Sequence, residues 1–393
     1  MSNSETLLDS ILQLLKARRC AFVDRFGPHF ICSAGAHLFN LVNIEKSIFR
    51  EHGLGETDMR LHIMFVAPPG FSKSFFLRQF LGGDYSILGA TNIHCAFEGA
   101  MTEAGWIGTK RFGDDGTDEM LGAAYEHRTG IIGIEEFSSL TQMMKVAHSS
   151  QLDTAMLTTL DSGWAMKRLA PGKIEYRTHV SLWAGTQPLR FDLSSGLGRR
   201  FYFIYFVPNR KDRAILVKKR REGKNVDPQL TSLTQIRVMI NKLMEDIADI
   251  DIISFDRPLF TLFDELHVPH FEESLYERLA LGYNVMTKKI VPDFKITLDD
   301  RLRRLIGQEY NWRNMLKYGA HIAQIIKLLT EDAEEIVESE FKLQLVNLGI
   351  DFSQSTKMLE AMKRMRMISV DEVTGIISLE QLPAFKRSYQ GGE

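Results

Sequence analysis

A lysine followed by a serine, Lys73-Ser74, closes the stretch APPGFSKS at residues 67–74. An apolar run at 61–66 precedes it and helical character follows from Phe75, so the order is buried parallel strand, tight turn, helix. That order suits a nucleoside triphosphate. Past Pro69, main-chain N–H groups of Gly70, Phe71, Ser72 and Lys73 point inward at the phosphates, and the positive end of the helix adds to them. Lys73 reaches the β- and γ-phosphates, and the hydroxyl of Ser74 coordinates Mg²⁺. The turn departs from G-x-x-x-x-G-K-[ST], with Ala67 and Ser72 in place of its glycines. The plain alternative is a strand-to-helix turn that happens to carry Lys-Ser.

A second stretch, TGIIGIEEFS at 129–138, is a short apolar strand ending on two carboxylates. Hydrolysis of a triphosphate needs one acid beside the metal and another that orients the attacking water, both at the C-terminal edge of a parallel sheet. Glu135 suits the metal position, one methylene longer than the commoner Asp, and Glu136 suits the water. The strand at 179–184 ends near Thr186 and Gln187, either of which can touch the γ-phosphate or the lytic water.

These groups sit in a chain of 393 residues, long enough for two or three domains with a sizeable core. Its 48 Lys plus Arg balance 50 Asp plus Glu, so any nucleic-acid contact must come from a local basic patch. The cysteines, Cys20, Cys32 and Cys95, form no C-x-x-C pair, so neither a zinc site nor a disulfide framework is indicated, and a reducing, cytoplasmic setting fits. No apolar run approaches the roughly 18–20 residues of a membrane span, and the first residues do not resemble a signal peptide.

Periodicity places the remaining elements. Residues 4–19 form an amphipathic helix with Ser4 as its N-cap, and 36–50 a second. The Gly-rich segment around Trp106, Lys110, Arg111 and Phe112 reads as a solvated loop, with a β-hairpin as the alternative. Helix 152–164 leads into LAPGKIEY, a hairpin with Lys173 near its tip and Arg168 on its flank. Two arginines, Arg199 and Arg200, stand immediately before an apolar strand, and residues 209–224 read as a basic, solvated helix. From 227 the pattern is mostly helical, including helices over 234–247 and 305–329, the latter with Trp312-Arg313 near its start. Residues 331–380 form a small unit of two helices and a hairpin. Its second helix, with Lys357, Lys363, Arg364 and Arg366, either faces nucleic acid or is simply solvated.

In this order the parts resemble an AAA+ ATPase, specifically the minichromosome-maintenance helicases and their mobile-element relatives. The resemblance rests on residues 40–210: APPGFSKS against the family's G-D-P-G-x-A-K-S, TGIIGIEEF against its I-D-E-F strand, then GTQP and GLGRRF. It implies an α/β P-loop core with a parallel sheet in three layers, a helical lid and a winged-helix-like C-terminal domain. Boundaries fall at 1–35, 36–210, 211–330 and 331–393. By the same matching, Gln187 takes the sensor position and Arg200 that of an arginine finger acting on ATP in the adjacent subunit. Arg313 becomes a second sensor on the lid. Lys173 and Arg168 lie on the hairpin that grips DNA, while Lys110 and Arg111 lie on a second channel-facing insert. ATP and Mg²⁺ are the implied cofactors, DNA and a homo-oligomeric, hexameric ring the implied partners. The family's N-terminal domain has no counterpart, which suits an element-encoded relative.

Three functions compete. One is an ATP-driven DNA motor, a second an ATP-switched DNA-binding or loader protein, and a third a MoxR-type protein remodeller without nucleic acid. Lys173 and the C-terminal unit favour the first two.

Overall fold

Apolar segments too short for stable helices collapse here into a sheet buried on both faces. The computed structural model describes residues 6–44, 49–50, 58–68, 70–71, 73–89, 91–113, 116–140, 151–187, 196–206, 210–222, 229–317, 336–347, 352–364 and 368–379. Its central sheet contains β1 (His62–Val66), β2 (Cys95–Phe97), β3 (Ile131–Ile134), β4 (Ser181–Thr186) and β5 (Phe201–Tyr205). All pair in parallel, in the spatial order β5-β1-β4-β3-β2. Every residue of β1, β3, β4 and β5 is buried, as expected of parallel strands covered on both sides.

Helices α1 (Leu7–Ala17), α2 (Val23–Val42) and α3 (Lys73–Leu81) precede or follow β1 in the chain. One face of the sheet packs on α2 and α3. The Phe65 ring lies 5.0 Å from Phe26, Trp183 5.3 Å from Phe30, and Tyr202 shares a 2.6 Å hydrogen bond with His29. The opposite face meets the helix Leu152–Asp161, where His62 Nε2–H donates to the Leu160 carbonyl at 2.9 Å. The molecule is thus α/β with a central parallel sheet.

Several sequence expectations change. Helix α1 begins at Leu7, capped by Thr6, whose hydroxyl accepts from the Asp9 N–H at 3.2 Å; Ser4 lies outside the described residues. Helix α2 starts thirteen residues before the expected 36, so a domain boundary at 35 falls inside it. Gly27, Pro28 and Gly35 lie inside this helix, and the glycines serve close packing. A Cβ on Gly27 would lie 2.6 Å from Leu12, and one on Gly35 would lie 2.5 Å from the Gly282 carbonyl of helix His270–Thr287.

The mostly helical region also contributes two strands, Ile252–Phe255 and Asp293–Ile296, to a small parallel sheet with Phe49–Arg50, which form a strand and not the end of the helix expected over 36–50. Its strands, of two to four residues, are too short to stand out beside helices Leu230–Ala248 and Arg257–Leu266. The segment around Trp106 to Phe112 takes the alternative form, Gly108–Gly113 and Gly116–Leu121 pairing as an antiparallel hairpin. The expected second hairpin is present, Trp164–Leu169 with Gly172–Arg177, turning through Ala170-Pro171 with Lys173 one pair from the tip. Trp312 and Arg313 lie toward the end of helix Asp300–Lys317, not near a helix start.

The C-terminal unit has strand Ile336–Val337, helices Glu338–Asn347 and Phe352–Arg364, then strands Ile368–Val370 and Ile376–Leu379. Ile376–Leu379 pairs antiparallel with both other strands. Among the described residues no helix is long and apolar enough to cross a membrane.

Candidate functional site

Because the strands are parallel, their C-terminal ends share one sheet edge, where ligands of such sheets bind. That edge gathers the turn after β1, Glu98 after β2, Glu135 and Glu136 after β3, and Gln187 after β4. β4 lies between β1 and β3, so Gln187 emerges between Lys73 and the glutamates. The edge is tied together by main-chain bonds, Ala67 N–H to the Thr186 carbonyl at 3.1 Å and Phe137 N–H to the Gly185 carbonyl at 2.7 Å. Gly185 permits this closeness, since a Cβ there would meet the Glu135 carbonyl at 2.7 Å.

Gly70 holds φ at +79°, a conformation that favours glycine, with open space where a side chain would stand. Pro69 and Ser72 lie outside the described residues, while Phe71 is half-buried and Ser74 sits in the first turn of α3. Lys73 opens α3 and is buried, its Nζ donating to the Ala67 carbonyl at 2.6 Å and the Pro68 carbonyl at 3.2 Å. Burial lowers its pKa from 10.5 to about 8, against the opposing pull of the Glu136 charge. An ammonium held by main-chain carbonyls and pressed toward neutrality fits a site that receives an external anion.

Glu136 is held at both oxygens, Oε2 accepting from Gln187 Nε2 at 3.0 Å and Oε1 from the Ser138 hydroxyl at 2.6 Å. A carboxylate has further lone pairs, so a fixed Glu136 can still accept from a water. Glu135 accepts from Arg78 Nε at 2.6 Å, within a cleft of about 530 Å³ that Glu98, Glu136 and Ser139 also line. A carboxylate and a hydroxyl, such as those of Glu135 and Ser74, are oxygen donors of the kind Mg²⁺ takes. Glu98 is held by His127, which accepts or donates onward to His94, at 2.9 and 2.7 Å. Sequence spacing carries no signal for Arg78, Ser138, Gly185 or this histidine pair, which meet only through the strand order.

The arginines lie elsewhere. Arg200 ends the short helix before β5 and therefore stands at the opposite, N-terminal edge, where it pairs with Asp161 at 2.7 Å. Arg313 is buried at that same edge, donating to the Phe201 carbonyl at 2.5 Å and paired with Glu309 at 2.8 Å. It stacks over the Phe203 ring at 4.8 Å. The structure does not bring Arg313 to the Lys73 turn of its own chain.

The two hairpins touch each other. Lys110 Nζ donates to the Lys173 carbonyl at 2.8 Å and pairs with Glu119 at 3.2 Å, so Lys110 links the hairpins, whereas Arg111 is exposed. On the second hairpin one face is exposed throughout, with Trp164, Met166 and Arg168 opposite Arg177, Glu175 and Lys173. Arg168 and Lys173 lie directly cross-strand, a like-charge pairing that costs stability. Lys173 also pairs with Glu175.

Compared with known proteins, the chain matches no protein-family model and shows no significant similarity to any curated protein.

Proposed function

We propose that the chain is an ATP-hydrolysing AAA+ motor on DNA, similar to minichromosome-maintenance helicases and acting as a ring in the replication of a mobile element. The observation that carries this reading is one sheet edge holding a buried, anion-poor lysine beside a glutamate fixed by the intervening strand. There Lys73 binds the β- and γ-phosphates, the N–H groups past Gly70 cradle them, and Glu136 takes a proton from the attacking water while Gln187 holds its carboxylate. Ser74 and Glu135 would hold Mg²⁺, which supplies charge neutralisation at the phosphates.

Arg200 supports an oligomer. It sits across a five-residue strand from that edge, roughly 15 Å away at strand rise, so it can serve a triphosphate only on another copy. Its role is then to stabilise charge on the transferring phosphoryl group in trans. The exposed Trp, Met, Arg and Lys face of the second hairpin suits a DNA backbone with bases lying on the aromatic. The strand, two helices and hairpin of residues 336–379 suit a winged helix, with the helical region before them as a lid.

A second reading, an ATP-switched loader, is favoured by one observation: both Glu136 oxygens are already engaged, which suits slow hydrolysis. ATPase rate with and without single-stranded DNA, alongside particle size with bound nucleotide, tests both. The motor predicts DNA-stimulated turnover and nucleotide-driven assembly; the loader predicts assembly with little turnover. A monomer that ignores nucleotide, with DNA present, overturns both.

A further inference from the structure

Glu135 is not an open carboxylate. Arg78, in the last turn of α3, donates from Nε to its Oε1 at 2.6 Å. In the cleft around them Arg78 is the one cation among the described lining residues, facing three carboxylates, Glu98, Glu135 and Glu136. Glu136 and Glu98 are each held by neutral or titratable partners, Gln187 and Ser138 for the first and His127 for the second. Lys73 on the phosphate turn feels the Glu136 charge, so the positive charge that sits on Glu135 itself comes from a residue outside that turn.

Resting on the ATPase reading, we propose that Arg78 is a resident counter-cation that occupies Glu135 until a divalent metal arrives with nucleotide and displaces it. A guanidinium and a divalent cation on one carboxylate oppose each other, because like charges at such separations repel. The Arg78 side chain is 66% exposed and Glu135 35%, so the pair is screened and exchanges easily with solvent. The guanidinium therefore has a hydrated place to go. Metal alone must compete with Arg78, whereas metal carried by a triphosphate brings its own contacts to the turn. The arrangement makes metal loading follow nucleotide loading.

Mn²⁺ binding to the full chain, read from the electron paramagnetic resonance of free Mn²⁺ without nucleotide, tests this. Arg78→Ala is expected to bind Mn²⁺ about fivefold more tightly than wild type, the scale of one exposed ion pair. Arg78→Lys, which keeps the charge, is expected to fall between. Once Glu135→Gln is in place, adding Arg78→Ala is expected to leave Mn²⁺ binding unchanged. Unchanged or weaker Mn²⁺ binding by Arg78→Ala alone overturns the proposal; if wild type still binds Mn²⁺ with ADP and Glu135→Gln does not, the ATPase reading stands without it. A wild-type chain that binds no metal–nucleotide complex overturns the reading beneath.

Discussion

Lys73 carries a positive charge that its own chain stabilises poorly, and this makes it a direct probe of the edge. In the unfolded chain the amine keeps its proton to about pH 10.5, and in the native chain it releases near pH 8. Between those values the unfolded state binds more protons, so this residue's contribution to stability rises with pH from about 8 to 10.5. Below pH 8 it is a constant cost. Replacing it by Met, which fits the same space without a charge, is expected to stabilise the nucleotide-free chain at pH 7 by roughly 1–3 kcal/mol, and to abolish nucleotide binding. Thermal melts at pH 7 and near pH 10 check it: the gain should shrink at the higher pH, and a loss of stability at pH 7 would contradict it. Opposite signs for folding and binding separate this lysine from one that merely packs.

At the scale of elements, the crossing of α2 and helix His270–Thr287 is the tightest glycine contact among the described residues. A Cβ on Gly282 would fall 1.9 Å from the Cys32 carbonyl, and main chain cannot yield as a side chain does. Gly282→Ala should cost about 1–3 kcal/mol or more, seen as a lower denaturation midpoint with the m-value retained. The hairpins make a different prediction. Lys173→Ala is expected to weaken single-stranded DNA binding uniformly across sequences and to lower the slope of affinity against salt by about one. Full DNA-stimulated turnover in that variant would remove Lys173 from the interface. How much of this was legible in the sequence depended on locality. The strand–turn–helix at Lys73, the strand ending on Glu135-Glu136 and the Lys173 hairpin each lie within a few residues, so apolar runs and turn residues revealed them. Helix α2 was hidden because its glycines answer to a partner helix some 250 residues away in the chain. Arg78, Gly185 and the His127–His94 pair were invisible for a related reason: only the order of strands brings them to one edge. Arg313 was assigned by resemblance alone, and no local pattern announced that Glu309 and the Phe201 carbonyl hold its guanidinium in the core.

For the whole molecule, the separation of Lys73 and Arg200 onto opposite sheet edges decides what a mutant can do. Arg200→Ala is expected to leave nucleotide binding by each chain intact while lowering turnover about 10³-fold or more. Mixed with wild-type chains, it should depress activity more steeply than its fraction of the mixture, measured by titrating one against the other at constant total protein. Simple dilution would assign Arg200 to its own chain's stability, through Asp161, and leave the neighbour out.

The buried group around Glu309 reaches further. Glu309 accepts from the Phe203 N–H at 3.0 Å and the Tyr276 hydroxyl at 2.6 Å, while Arg313 holds both Glu309 and the Phe201 carbonyl. Phe201 directly follows Arg200, so helix Asp300–Lys317 and the base of that arginine are riveted into one lever arm. In the proposed ring, a tilt of that helix in one chain would swing the guanidinium presented to the next, so a push delivered far from either triphosphate would be felt at the seam between them.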